Sequence, residues 1–338
     1  MIKEVLSGIF RIKIPLPNNP LRYLNSYLIK GKKRSLLVDT GFNWPECKKA
    51  QLEGIKTLGA NWHDIDFFIT HVHSDHCGLV YDLIQKGTQV YCSRTDAELM
   101  QAIEFGSYLK EEKNFLIQNG FPERMILKDD IYDYTSGSNI DFTYVDDGDI
   151  LNYGSYNLMC ISTPGHSPGH ICLYEPEHKF LISGDHILGS ITSNITAWGG
   201  VDDFLGHYLA SLDKIDTLDI SLALPGHRQL IYNCHSRINE IKLHHQKRIG
   251  EILNILRSGS MNAYQVASFM HWDLTYKSWG SFPKFQKWFA TGEAIAHLEY
   301  LTKRNQVQKI KLDKSIVYSL ALANTSGCLT NTNQIQYN

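Results

Sequence analysis

Apolar and polar positions alternate in short runs over the first forty residues: Ile9-Phe10-Arg11-Ile12-Lys13-Ile14, then 24–29, then Ser35-Leu36-Leu37-Val38, with Pro-Asn and Gly-Lys turns between them. Period-two alternation cut by turn residues predicts a β meander. The third run stops at Asp39-Thr40-Gly41. Beyond it, a helix is expected from Pro45, with Ala50, Leu52, Ile55 and Leu58 as its apolar side, and 65–70 reads as a buried strand that delivers the chain to His71. Residues 79–85 read as helix and 89–92 as the next strand, so β and α alternate. Residues 96–128 read as helical, with Phe, Tyr and Leu on one side. This long insertion is either ordinary packing helix or a lid or wall beside a site.

From Ile140 short strands return at 141–145, 156–161, 170–174 and 180–182. After Ser236 the character changes, because Ile249, Ile252, Leu253 and Leu256 recur at helical spacing until Ser258-Gly259-Ser260. A short helix over 262–270, a long one over 285–303 and an apolar/polar hairpin over 307–318 follow, the order of a winged helix. The expected organisation is an α/β domain over 1–235, a smaller winged-helix-like domain over 236–318, and a loose tail over 319–338 rich in Asn, Thr and Ser.

Composition narrows the class. The 338 residues are 43% hydrophobic and 20% charged, enough for a sizeable core, while no apolar run approaches the roughly 18 residues of a membrane helix. The amino terminus shows no apolar stretch followed by a small-residue cleavage site, so the expectation is a soluble cytoplasmic protein with no membrane partner. Seven scattered cysteines without CxxC spacing argue against a disulfide framework or a thiolate metal site and read as reduced thiols. A net charge of −2 gives no whole-protein field toward nucleic acid or an anionic membrane.

The chemistry is concentrated in a few segments. His71-Val72-His73-Ser74-Asp75-His76 packs three imidazoles and a carboxylate into six residues directly after a buried strand. In such a loop, side chains two apart converge on one metal ion while Asp75 and His76 turn toward a second; Asp75 also sits where it can cap a helix. Taken alone, the segment is also readable as a polar turn. Three later segments count against that reading: Thr163-Pro164-Gly165-His166-Ser167-Pro168-Gly169-His170, Ser183-Gly184-Asp185-His186 and Leu224-Pro225-Gly226-His227 each put a ligand type beside a glycine at a strand end.

HxHxDH, PGHxPGH, SGD and PGH in that order resemble the metallo-β-lactamase superfamily, over residues 1 to about 235. Asp39 in Leu37-Val38-Asp39-Thr40-Gly41 is similar to that family's first motif, where the Asp mainly supports the ligands. The resemblance implies an αββα sandwich and two divalent metal ions: His71, His73 and His166 on the first, Asp75, His76 and His227 on the second, and Asp185 bridging them. Imidazole and carboxylate ligands make Zn²⁺ the default, with Fe²⁺ and Mn²⁺ sharing the same preferences. The implied reaction is hydrolysis by a metal-bridging hydroxide, with Asp75 orienting it and Asp185 holding the ions together. His170 is expected to pack or to support a ligand. His186 is either a packed residue or a substrate contact, and His207, His235, His244 and His245 are read as surface.

Within the superfamily, quorum-quenching lactonases carry a Tyr where this chain has Leu188, glyoxalase II enzymes carry a Gly-Cys-Gly-Arg segment that is absent here, and flavodiiron proteins carry Glu in place of His73. The chain is most similar to the branch with a C-terminal winged helix, which includes thioester hydrolases and endoribonucleases. That likeness rests on residues 184–190, 208–212 and 292–301. The expected activity is hydrolysis of an ester, thioester or lactone of a small organic acid. One alternative is an endoribonuclease on single-stranded RNA, with Lys242, Lys247, Arg248, Lys284, Lys287, Lys303 and Arg304 on phosphates and Trp279, Trp288 and Phe289 stacking. Another is a non-catalytic metal-binding regulator, against which stands the complete ligand set. The basic residues alternate with Glu240, Glu251, Glu293 and Glu299, which favours a solvated helix face and a small-molecule substrate over nucleic acid. In that reading the small domain closes one edge of the site or forms a homo-oligomer interface.

Overall fold

A computed structural model describes residues 1–126, 140–197, 202–273 and 276–321. The meander forms from β1 (Ile2–Leu6), β2 (Ile9–Pro15), β3 (Tyr23–Ile29) and β4 (Ser35–Val38), each antiparallel to the next. The chain then alternates through α1 (Pro45–Thr57), β5 (Ile65–Phe68), the single turns α2 (Ser74–Cys77) and α3 (Val80–Leu83), β6 (Val90–Cys92), α4 (Arg94–Glu104), α5 (Ser107–Gln118) and β7 (Phe142–Tyr144). Strands β4 to β7 run parallel and complete a seven-stranded sheet in sequence order. A second sheet of five strands contains β8 (Ile150–Tyr153), β9 (Tyr156–Ser162), β10 (Ile171–Glu175), β11 (Phe180–Gly184) and, after α6 (Phe204–Asp216), β12 (Leu222–Pro225). Last come α7 (Cys234–Ile255), α8 (Ala263–Phe269), α9 (Lys284–Lys303) and the hairpin β13 (Val307–Lys311) with β14 (Ile316–Leu320).

The central strands β4, β5, β10, β11 and β12 are buried at every position, as strands covered on both faces are. Alternate residues serve the two faces. Leu36 and Val38, Ile171 and Leu173, Phe180 and Ile182, and Leu222 and Leu224 fill the layer between the sheets. Their neighbours Leu37, Cys172, Leu181 and Ala223 point to the helices outside. This is a sandwich of two sheets between helical layers, as expected.

Several local expectations need correction. α1 buries Cys47, Gln51, Gly54 and Ile55, while Leu52 is 40% exposed. The helix lies so close to β2 that a Cβ on Gly54 would sit 2.7 Å from Ile12 Cγ2, so small residues occupy the contact in place of the large apolar ones. The helix read over 79–85 shrinks to one turn, and β1 and β8 are additional strands. The 96–128 segment is two helices, α4 and α5, with positions 127 and 128 outside the described residues. His245 is buried, not on the surface: its Nδ1 lies 3.1 Å from His297 Nε2 and its ring packs on Tyr208. The six described cysteines are free and buried, and Cys328 lies outside the described residues.

The C-terminal part follows the expected order of three helices and a hairpin. Strand β14 continues to Leu320, and of the expected tail residues 322–338 lie outside the described residues. α9 is buried along most of its length, packed on α6, α7 and α8. Among the described residues no helix is long and apolar enough to cross a membrane.

Candidate metal centre and pocket

Strands β4, β5, β9, β11 and β12 end at one rim of the sandwich, and each releases a polar residue there: Asp39, His71, His166, Asp185 and His227. Parallel pairing of β4 with β5 and of β11 with β12 brings these ends together. The rim is then tied across the sheets. Ile171 N–H donates to the Thr70 carbonyl at 3.0 Å, and Asn25 N–H to the Gly226 carbonyl at 2.6 Å. Gly226 is required by proximity, because a Cβ there would lie 2.6 Å from Asp185 Oδ1 and 2.7 Å from His76 Cε1.

All seven expected ligands meet in this rim. His73 Nδ1 lies 3.0 Å from His71 Nε2 and 2.9 Å from His166 Nε2. A second group sits beside them, with His227 Nε2 at 3.3 Å from His76 Nε2 and 3.1 Å from Asp75 Oδ2. Asp185 stands between the groups, its Oδ2 at 3.7 Å from His166 Nε2 and 3.5 Å from His227 Nε2, its Oδ1 at 3.5 Å from His76 Nε2.

The far side of each ring shows what the near side must be. His71 Nδ1 meets Thr70 Oγ1 at 2.9 Å, and that hydroxyl gives its own proton to Asp39. His76 Nδ1 donates to Asp39 Oδ2 at 2.7 Å, His166 Nδ1 to the Asn194 carbonyl at 2.8 Å, and His227 Nδ1 to the Tyr23 carbonyl at 2.9 Å. With the proton fixed on Nδ1, each Nε2 turns a lone pair inward. His71 and His166 therefore aim two lone pairs at His73 Nδ1, which has at most one proton to share. His76 and His227 face each other through Nε2 at 3.3 Å, with Asp75 and Asp185 beside them. Buried facing lone pairs repel unless a cation lies among them, so the donor set fits divalent metal ions. Asp185 Oδ1, buried without a hydrogen-bond partner among the described residues, fits the same role.

Electrostatics sort the two groups. Burial, reinforced by the neighbouring imidazoles, holds His71 well below its usual range and His73 at about 3, so both rings are neutral at pH 7. At His76 and His227 burial also disfavours the charge, but Asp185 with Asp39 and Asp75 at His76, and Asp185 with Asp75 at His227, outweigh it and raise both. Burial would raise Asp75, yet His76 and His227 bring it down to about 2. The second group thus carries more negative charge facing its histidines than the first.

His170 is a support, as expected: its Nδ1 meets Thr163 Oγ1 at 2.8 Å and its Nε2 accepts the Asp185 N–H at 3.2 Å. His186 is packed between the His170 and Tyr208 rings, fully buried, and is not among the residues that line the pocket. Sequence reasoning missed Asp96. This buried carboxylate accepts from Val72 N–H at 2.9 Å, Ser167 Oγ at 2.5 Å and Gly169 N–H at 2.6 Å, and so clamps the two histidine-bearing loops together. Burial outweighs those three donors and lifts it to about 6. Its only trace in the sequence is Ser93-x-x-Asp96, which signals a helix start and nothing more.

A cavity of about 320 Å³ opens over the exposed edges of His73, Asp75, His166 and Asp185. Its walls are largely apolar: Pro20 and Leu21 from the β2–β3 loop, Phe42, Leu188 and Ile191 from the segment after Asp185, and Phe285, Trp288 and Phe289 from α9. Glu112 of α5 also lines it, so part of the 96–128 insertion does form a wall. Several cations suggested for phosphate contact are engaged elsewhere. Lys242 pairs with Asp213, Arg248 with Glu251, Lys303 with Asp202 and Arg304 with Asp203, and Lys287 is buried.

Comparison with known proteins gives the class directly. The chain belongs to the metallo-beta-lactamase superfamily, whose family model matches residues 20–227. It is a metal-dependent hydrolase of that superfamily. A Caenorhabditis elegans protein named beta-lactamase-like protein 2 homolog is 28% identical over 76% of this chain and 73% of its own length. The acyl-coenzyme A thioesterase MBLAC2 of Gallus gallus is 24% identical over 67% of this chain and 79% of its own. Fungal relatives are longer, and the match spans 61% of the lactamase-like protein aptB of Emericella nidulans. Among solved structures, a metallo-beta-lactamase family protein from Thermus thermophilus superposes with a TM-score of 0.81 at 25% identity, covering 94% of this chain and all of that one.

Proposed function

We propose that the protein hydrolyses thioesters of apolar carboxylic acids, using two divalent metal ions, Zn²⁺ by default. The observation that carries this reading is the pair of ligand groups with Asp185 between them, opening onto a cavity whose far walls are apolar. The Gallus gallus relative named as an acyl-coenzyme A thioesterase supports the bond class. His71, His73 and His166 would hold one ion, Asp75, His76 and His227 the other, with Asp185 shared. Such ions lower the pKa of a bound water and polarise a carbonyl.

The chain's own contribution follows from the geometry. Phe285, Phe289, Leu188 and Ile191 bind the acyl group and exclude water from the reacting carbon. Asp75, held ionised and 13% exposed at the cavity floor, accepts the proton of the attacking water. A thiolate, with a pKa of about 8.5 in a free cysteine, departs without a proton and so asks for no general acid. The engaged cations of α7 and α9 weigh against a phosphodiester substrate.

The test is metal content by mass spectrometry on wild type and Asp185→Ala, with turnover measured on thioester, ester, lactone and single-stranded RNA panels. Two metals per chain, thioester turnover and loss of both in the variant are expected. Turnover confined to lactone or RNA would overturn the bond class, and a metal-free protein after expression with Zn²⁺, Mn²⁺ or Fe²⁺ would overturn the ligand assignment.

A further inference from the structure

The segment that follows the bridging Asp185 reaches the C-terminal helices before it returns to the sheet, and its attachments there are specific. Arg237 of α7 donates from Nε to the Leu188 carbonyl at 2.7 Å and from its terminal nitrogen to the Ile191 carbonyl at 2.8 Å. Ala197 N–H donates to the Gly292 carbonyl of α9 at 3.3 Å, and a Cβ on Gly292 would lie 2.3 Å from Thr196 Cγ2. Between these two attachments sits Asn194. Its carbonyl accepts from His166 Nδ1 at 2.8 Å, its Nδ2 donates to Glu293 Oε2 at 3.2 Å, and its Oδ1 accepts from the Thr196 hydroxyl.

Glu293 is buried on α9, and its other oxygen lies 3.4 Å from Arg248 Nε on α7. A buried carboxylate that accepts from an amide on one side and faces the charge of a guanidinium on the other is held in place. It passes that fixity to Asn194, whose backbone sets the tautomer and tilt of the His166 ring. Glu293 touches neither the cavity nor the ligand atoms, so any effect it has runs through Asn194.

We propose that Glu293 is a positioning residue for the metal centre: through Asn194 it holds His166 in ligating orientation, which makes the C-terminal helices part of the catalytic unit. This rests on the metal-site reading above. It accounts for Gly292-Glu293, a dipeptide that the sequence marks without giving it a task, since glycine admits the loop and glutamate anchors it.

The experiment measures the two metal affinities separately by chelator competition on full-length wild type, Glu293→Ala, Glu293→Gln, Asn194→Ala and the Asn194→Ala/Glu293→Ala double variant, with Co²⁺ absorption as a second readout. Loss of support for a ligating histidine typically weakens a metal by about tenfold or more. Expected is a loss of about tenfold for one of the two ions in Glu293→Ala and in Asn194→Ala, no further loss in the double variant, and recovery in Glu293→Gln, which retains an oxygen for Asn194 Nδ2. Wild-type affinity for both ions in Asn194→Ala overturns the proposal even where Glu293→Ala fails to fold. Equal weakening of both ions, or additive losses in the double variant, also overturns it, since general loosening of the fold would act that way. A wild type that takes up no metal overturns the metal-site reading and this proposal with it, whereas two tightly bound ions in every variant overturns this proposal alone.

Discussion

Replacing Asp39 by Asn exchanges one oxygen for an NH₂ group of the same size, in a place where every contact of the carboxylate is an accepted hydrogen bond. Oδ1 accepts Thr70 N–H at 2.9 Å, and Oδ2 accepts the Thr70 hydroxyl at 2.9 Å and His76 Nδ1–H at 2.7 Å. An asparagine whose amide nitrogen faces His76 sets donor against donor. His76 escapes by moving its proton to Nε2, which removes the lone pair that would hold the second of the proposed metal ions. Disturbing the partner of a ligating histidine typically weakens metal binding by about 10–100-fold, or ~1.4–2.7 kcal/mol. The opposite amide orientation instead sets NH₂ against Thr70 N–H and leaves a buried donor unmatched, at about 1–3 kcal/mol of fold stability. Chelator competition reads the first outcome and urea unfolding of the metal-free protein reads the second. One of the two must appear. Asp39→Asn protein with unchanged affinity for both metals and an unchanged urea midpoint would refute the assignment of Asp39 as the acceptor that fixes His76.

Two further outcomes are expected. Phe289→Ala removes a ring from the cavity wall, and since burying a Phe contributes about 1.5–3 kcal/mol, kcat/KM for a long-chain acyl thioester should fall about tenfold while a short-chain thioester is little affected; equal losses across chain lengths would show that Phe289 does not contact the acyl group. His297, buried with Nδ1 donating to the Glu293 carbonyl, is held by burial at about 4 against an ordinary 6.5, so between these values the unfolded chain takes up a proton that the folded one refuses. The contribution of His297 to stability should therefore be full above pH 6.5 and be lost, by about 3 kcal/mol, as pH drops through 4, and comparing urea midpoints at pH 7 and 4.5 for wild type and His297→Gln checks this, an equal drop in both counting against it.

Features that depend on neighbours within a few bonds are legible in the chain before it folds. The alternation in 9–14 and 24–29 is a property of neighbouring residues, and it predicted β2 and β3 to within a residue. His71, His73, Asp75 and His76 share one loop, so their convergence is legible as spacing, and the three later Gly-containing strand ends were recognisable one by one. Features that depend on which surfaces meet emerge only with packing. α1 turned its small residues inward because Ile12 lies against Gly54, a distance that periodicity does not encode. His245 looked like a surface residue on a polar helix, and it is buried because α6 and α9 close over it from remote parts of the chain. The tasks of Asp96, Asn194 and Glu293 are not legible in the sequence, since each acts through hydrogen bonds to segments distant along the chain. Ligands announce themselves because metal chemistry restricts residue type. The groups that orient them need only an oxygen in the right place, and backbone carbonyls of Tyr23 and Asn194 serve as well as any side chain, so packing alone selects them.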